Sequence, residues 1–518
     1  MPIHPFPHLR RPSIRVFPLT SDTKFWKALA IALVLAGSLI RIRQFAARQS
    51  FWNDEAFIVL NVLHHTDQQL IGHLDYDQAA PPVFLWIERL MAVHFGANEY
   101  ALRAQALFCG ITLLAIFAAL AWRVLPPGPA VGAIALVVFS DKLVQYCVEV
   151  KQYSGDAMIA ALLIWLAVSI STDRPGKRIL IVALVSSIAI WFSHTTSIIF
   201  GGISLVILIS VLRQKNWRGF AIWIGANAIF ALSLAALYLL SIRHQHTQFL
   251  YEFWAKDLPD LKRPLAFPGW LLTHIYEAFD FPYPFAGGWV IALSVGGIYW
   301  LIKNGKGEVA GFCLAPIALT ALAAVLQQYP FNGSRLTLFL IPCVLLLAGA
   351  GGALALDLLP ATVKWAWPAA VAPLLIMGIG EQGYRIFNPR YRSHIRPAVQ
   401  YVQKHREPGD AVYMAGTGEL PARLGEHARH LEILCYWPDP PPPFSMEWAP
   451  AGTIPYHHFW LVFPFKPGQG KRLTDALLHD AEASADLRDH FVTPHGGAAY
   501  LFEKKGDEAA SSQPATIP

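Results

Sequence analysis

Apolar stretches of about 17–25 residues, the length a helix needs to cross a lipid bilayer, recur at about 25–43, 100–122, 130–148, 154–171, 179–194, 196–212, 219–241, 286–302, 309–326, 335–356 and 365–380. A soluble core has no use for about eleven such helices in one chain. Charged residues make up 15% of the sequence, against about a quarter in soluble domains, and mean hydropathy is +0.39. The expected fold is therefore an α-helical polytopic membrane protein with about eleven transmembrane helices. Arg123, then Arg174, Lys177 and Arg178, then Arg213, Lys215 and Arg218, then Lys303 and Lys306, then Lys364 fall in alternate connections, which the positive-inside bias assigns to the cytoplasm. Arg10, Arg11, Arg15, Lys24 and Lys27 before the uninterrupted apolar run from about Ala28 to Ile40 predict an uncleaved signal anchor. These basic residues sit in short clusters rather than one stripe, so the net charge of +6 predicts attraction to anionic membrane lipids and no nucleic-acid partner.

The remaining connections, 44–99, 148–153, 193–196, 243–285, 327–335 and everything after about 380, face outward on this reading. In the loop 44–99, helical apolar spacing appears at 54–65 (Phe57, Ile58, Leu60, Val62, Leu63) and at 81–95 (Val83, Phe84, Ile87, Leu90, Met91). Neither is long enough to span comfortably, which predicts two amphipathic helices lying in the interface plane, the second opened by Pro81-Pro82. Beyond 380 the pattern changes: 396–406 and 471–485 read as helices, and 411–414, 431–436 and 458–463 as strands. The expected organisation is a basic cytoplasmic N-terminus (1–24), a transmembrane domain (25–380), an extracytoplasmic α/β domain (381–503) and a disordered tail (504–518). The five cysteines form neither a disulfide framework nor a CxxC metal motif.

Ionisable groups on the outward side mark where chemistry can occur. Phe51-Trp52-Asn53-Asp54-Glu55 sets two carboxylates where the first span leaves the bilayer. They either favour the dipole of a helix N-terminus or supply a base for an attacking hydroxyl or amine. Lys151, in a very short turn with Tyr153, and Arg335, at the start of an apolar span, fit either a leaving phosphate or lipid headgroups. For Arg41 and Arg43, at the end of the first span, snorkelling to lipid phosphates suffices. His194 lies on the same side, as a packing residue or a ligand. His64, His65, His73, Asp75 and Asp77 share the first loop and either hold a divalent cation or are simply solvated, since no fixed ligand spacing joins them. Glu88 and Arg89 are expected to pair structurally with Arg103 and Glu99.

The Asp54-Glu55 pair after the first span, the helix start Ala80-Pro81-Pro82-Val83-Phe84-Leu85 ending in Phe95-Gly96, and Glu99, Leu102 and Arg103 entering the second span resemble the GT-C membrane glycosyltransferases of the protein O-mannosyltransferase and aminoarabinose-transferase superfamily. The resemblance covers roughly 25–200, and again 327–350, where Tyr329-Pro330-Phe331-Asn332-Gly333-Ser334-Arg335 matches an Arg-bearing loop. It implies a polyprenyl-phosphate sugar donor, Asp54 as catalytic base beside Glu55, and Lys151, Tyr153 and Arg335 at the donor phosphate, with His194, Asp77 and His73 as further candidates. Gln78-Ala79-Ala80 stands where many members place a His, which argues against a metal at that position. The expected function is sugar transfer to a lipid, glycan or protein acceptor at the outer face of the cytoplasmic (inner) membrane, with no cofactor beyond a possible divalent cation. A lipid or polysaccharide transporter, or a non-catalytic scaffold, is the competing reading. A transporter should carry ionisable groups deep in several spans, whereas here they gather at one face.

Overall fold

The computed structural model describes residues 23–414, 434–437, 444–445, 454–463 and 472–505. The N-terminal basic residues up to 22, the first part of the 431–436 strand and the tail beyond 505 lie outside the described residues.

The chain is mostly helical. Among the described residues, six helices are long and apolar enough to cross a membrane: α1 (Thr23–Ala46), Glu99–Val124, Thr196–Arg213, Trp217–Gln245, Gly307–Val325 and Arg335–Leu358. Ala361–Ala370 and Ala372–Phe387 form a further pair bent by 45°. Pro127–Phe139, Tyr153–Ser169 and Gly287–Lys303 are apolar but shorter. The continuous helix expected over 130–148 is broken: Pro127–Phe139 stops at Ser140, whose hydroxyl donates to the Pro282 carbonyl (3.2 Å), and Asp141–Tyr146 begins anew.

The helices meet in two ways. On α1, Ile31, Leu35, Leu39 and Ile42 form an exposed stripe at three- and four-residue spacing, which suits contact with lipid rather than water. Elsewhere small residues let backbones touch. A methyl group on Gly297 would sit 2.0 Å from the Leu347 carbonyl, and one on Gly351 would sit 2.2 Å from that of Leu293, so Gly287–Lys303 and Ile341–Leu358 pack backbone to backbone. Arg178 pairs with Glu308 (2.7 Å), Arg123 donates to the Ser169 carbonyl and Lys306 to that of Val124. These contacts gather connections assigned to the cytoplasm at one end of the bundle.

The first outward loop folds as α2 (Asn53–His64), α3 (Pro82–Phe95) and two short 3-10 turns between them. The helix Glu99–Val124, α4, follows, capped by the Asn98 side chain, which accepts from the Tyr100 and Ala101 amides. Gly96, at φ +82°, turns the chain between α3 and α4 in a conformation that other residues enter at a cost. The expectation that α2 lies in the interface is corrected. Residues 55–62 are buried all round, packed against Leu70, Leu74, Phe84, Leu102 and Val150. Exposed Leu90, Val93 and Phe95 leave α3 as the amphipathic helix of the pair.

The C-terminal region forms one sheet in the order β2-β1-β3-β5-β4, with β1 (Ala411–Met414), β2 (Phe444–Ser445), β3 (His458–Phe463), β4 (Ala485–Val492) and β5 (Ala498–Lys504). β1 pairs in parallel with β2 and β3, and β5 pairs antiparallel with β3 and β4. Alternation along β3 sends Trp460 and Val462 to one face, under helix Arg396–His405, and Phe459, Leu461 and Phe463 to the other, where Ala481 of helix Arg472–Ser484 packs. Residues 434–436 of the expected 431–436 strand form a turn rather than a strand.

Candidate active site

Glu55 organises the site without facing it. Its carboxylate is fully buried and takes a bidentate pair from Arg103, Nε to Oε1 at 2.8 Å and Nη2 to Oε2 at 2.6 Å. It also accepts from the Val150 amide (2.8 Å) and, closing the start of α2, from the Trp52 amide (3.2 Å). Arg103 spends its other donors on the carbonyls of Gln49 (2.5 Å) and Ser50 (3.1 Å). One buried ion pair thus ties α4, the start of α2 and the 148–152 turn together. This corrects the expectation of a catalytic Glu55: its oxygens are taken, and what it positions are Asp54, its neighbour in the chain, and Lys151, through the amide of the preceding Val150. The pairing expected between Glu88 or Arg89 and Arg103 or Glu99 is also absent. Arg89 pairs with Asp67 (2.9 Å), and Glu99 with Arg48 (3.1 Å) and Arg396.

Asp54 points the other way. Oδ1 lies 3.4 Å from Lys151 Nζ and Oδ2 lies 3.1 Å from Arg335 Nη1. Lys151 also donates to Gln78 Oε1 (2.8 Å), and the Arg335 guanidinium lies against the Trp52 and Trp254 rings, 5.7 and 6.0 Å from their centroids. Burial pushes the Asp54 carboxyl up, but Lys151 and Arg335, with Arg392 farther off, outweigh it and hold the group below its ordinary value. Lys151 is pulled down by burial, opposed chiefly by Asp54. The result is a carboxylate whose two oxygens each meet a cation, at the wall of a cavity of about 860 Å³.

That cavity also takes in Tyr153, His194, Asp77 and Gln78, while Phe249, Phe253, Trp254 and Leu258 give it an apolar side. Asp156, one turn beyond Tyr153 on helix Tyr153–Ser169 and also on the cavity wall, accepts from the Ser193 hydroxyl (2.6 Å) and so clamps the 191–195 turn to the helix start. His73 stays outside: it is exposed and meets the His244 carbonyl (3.2 Å). The loop residues suggested as cation ligands do not converge. His65 meets Asp75 alone (3.3 Å), and among the described residues only His457, His458 and Glu503, on the C-terminal sheet, bring three ligand atoms together. Arg41 does not snorkel: it is buried and donates to the carbonyls of Gly37, Val137 and Val138.

Sequence reasoning missed Arg392. Its guanidinium also lies against the Trp52 ring, 4.3 Å from the centroid, and its Nε pairs with Glu149 (3.1 Å). Burial pushes the Glu149 carboxyl up to about 7 despite this partner. Arg390 meets Asp141 (2.8 Å), Arg396 meets Glu99, and Tyr436 donates to Glu99 (2.8 Å) while accepting from the Phe51 amide (2.7 Å). The C-terminal region is therefore fastened to the loop that carries Asp54. The available signal was the cluster Arg390, Arg392 and Arg396 on a side where cations are disfavoured.

No protein-family model and no curated protein matches the chain. Among solved structures, ArnT from Cupriavidus metallidurans in the apo state superposes with a TM-score of 0.51 at 12% sequence identity, over 93% of this chain and 98% of that one. This chain has the GT-C glycosyltransferase fold. The ArnT structure bound to undecaprenyl phosphate gives a TM-score of 0.50 at 12% identity, with the same coverage of both chains. The likeness therefore extends across the GT-C bundle and the C-terminal region alike, and it is a likeness of fold.

Proposed function

We propose that the protein is a membrane glycosyltransferase that moves a sugar from a polyprenyl-phosphate donor to an acceptor at the outer face of the cytoplasmic membrane, with Asp54 as general base. The observation that carries this reading is Asp54 bridged between Lys151 and Arg335 at the wall of a large cavity with one polar and one apolar side. A carboxylate held by two cations is a poor base, which at first counts against the role. A donor phosphate resolves the conflict: its oxygens compete for Lys151 and Arg335, and as they take those cations the basicity of Asp54 rises. Substrate binding then switches the base on.

The transfer balances simply. The acceptor O–H or N–H gives its proton to Asp54, and its lone pair forms the new bond to the sugar C1. The bond from C1 to the phosphate oxygen breaks with its electron pair, leaving polyprenyl phosphate on Lys151 and Arg335, with Tyr153 nearby, and inverting C1. ArnT, which shares the fold, has been solved with undecaprenyl phosphate bound. In this reading 25–380 is the catalytic domain with about eleven spans, the one at 130–148 broken at Ser140, and 381–503 is an extracytoplasmic domain fastened to it through Arg390, Arg392 and Arg396. The test is binding of polyprenyl phosphate to the purified protein. Arg335→Met and Lys151→Met should each weaken it about tenfold or more, as expected for a lost charge-assisted contact; unchanged affinity in both would refute the site.

A further inference from the structure

Buried hydrogen-bonding capacity around Asp54 is unevenly spent. At the cavity's edge, Gln78, Gln245 and Gln327 are occupied at both ends: Gln78 accepts from Lys151 and donates to the Tyr76 carbonyl, Gln245 accepts from the Ala80 amide and donates to Ser241, and Gln327 accepts from Tyr251 and donates to the Pro259 carbonyl. Asn53, Gln152 and His194 are different. Asn53 Oδ1, Gln152 Oε1 and His194 Nε2 are buried and have no partner, although all three residues line the same cavity. Each side chain is half-buried, so part of it already faces the cavity, and rotation about the terminal torsion turns the unpaired atom toward it. Unpaired buried polar atoms are uncommon and costly, so three on one wall call for an explanation.

Local structure holds them in place. Asn53 precedes Asp54 on α2, and Gln152 follows Lys151. His194 sits in the turn that the Ser193–Asp156 hydrogen bond fastens to the helix beginning at Tyr153, immediately after Gln152. The three therefore sit beside Asp54, beside Lys151 and on the turn fastened to the helix that follows Lys151. Two amides and an imidazole offer donors and acceptors without a fixed charge. Of the carboxylates at the cavity, Asp54 meets Lys151 and Arg335, Asp156 has Ser193 and Thr195 as partners, and Asp77 has no side-chain partner among the described residues.

From this arrangement we infer that Asn53, Gln152 and His194 form the subsite for the transferred sugar, and that the sugar is rich in hydroxyls and not a uronic acid. A hydroxyl both donates and accepts, so a ring carrying several satisfies amide oxygens and imidazole nitrogen together. An anionic sugar needs a further cation, and the Lys and Arg side chains that line the cavity, Lys151 and Arg335, are the pair assigned to the phosphate. The inference rests on the donor reading above and sharpens it from a lipid phosphate to a class of sugar.

The test compares the full-length protein's affinity for bare undecaprenyl phosphate with that for undecaprenyl phosphates bearing glucose, mannose, galactose, arabinose, an aminohexose and a hexuronic acid. At least one sugar lipid other than the hexuronic one should bind about tenfold or more tightly than the bare lipid, a gain typical of one or two well-made hydrogen bonds. In Gln152→Ala/His194→Ala that ratio should fall to near one, and His194→Gln, which keeps a hydrogen-bonding group, should restore part of it. The inference is overturned if the hexuronic lipid binds best, if every sugar lipid binds no better than the bare one, or if the preference survives the double substitution. Absence of binding by the bare lipid as well overturns the donor reading itself, a distinct result.

Discussion

Truncating Glu55 separates a scaffold role from a catalytic one. Glu55→Ala strands the Arg103 guanidinium, 3% exposed, with the Gln49 and Ser50 carbonyls as its remaining hydrogen-bond acceptors. It also removes the acceptor of the Val150 and Trp52 amides. Breaking a buried ion pair by removing one partner typically costs about 3–5 kcal/mol, and a buried amide left without an acceptor costs about 1–3 kcal/mol. The two carbonyls that Arg103 keeps offset part of this, so a loss of about 3–5 kcal/mol is expected. Arg103→Met in the same chain removes the stranded charge and should recover part of the loss, giving a coupling energy of about 1–3 kcal/mol in a double-mutant cycle. The assay is thermal and denaturant unfolding of the purified protein at fixed detergent and lipid load, with donor-lipid affinity measured alongside. Because Val150 precedes Lys151, affinity should fall together with stability. A loss below about 1 kcal/mol, or a stable variant that binds donor normally yet does not turn over, would refute the scaffold role.

Two further outcomes follow from buried contacts. Glu149 has a folded-state pKa raised from 4.5 to about 7, so it holds its proton more tightly in the folded protein than in the unfolded chain, and its contribution to stability falls as pH rises through that window. Relative to Glu149→Gln, wild type should lose about 3 kcal/mol between pH 4.5 and 7, at about 1.4 kcal/mol per unit; parallel stability profiles for the two proteins would contradict this. Gly297→Leu should prevent stable folding in detergent, because even its Cβ lies within 2.0 Å of the Leu347 carbonyl; a variant that purifies with an unchanged melting temperature would show that the helix pair yields.

The helical bundle was largely legible because bilayer-length apolar runs and alternating basic loops are signals that each segment carries by itself. The breaks at Ser140 and at the bend between residues 370 and 372 were not, since hydropathy averages over them. The burial of α2 was hidden for a similar reason: its apolar face reads the same whether lipid or protein covers the rest. At the site, Asp54, Lys151 and Arg335 stood out as charges where the topology disfavours them, and the fold brings the three together. Sequence could not divide the labour between Asp54 and Glu55, because adjacent residues on a helix face different ways and only the position of Arg103 decides which is consumed. Arg392 and the Ser193–Asp156 clamp depend on contacts between distant segments, which no local pattern encodes.

The most direct measurement is mass spectrometry of the lipids that co-purify with wild type and with Asp54→Asn in the same detergent. The amide keeps the shape of Asp54 but takes no proton, so the variant should retain a polyprenyl-phosphate sugar where wild type, having turned over, holds polyprenyl phosphate alone. The mass difference between the two lipids then gives the sugar. Identical lipid in both proteins, or no polyprenyl species in either, would contradict Asp54 as the base that drives transfer from such a donor.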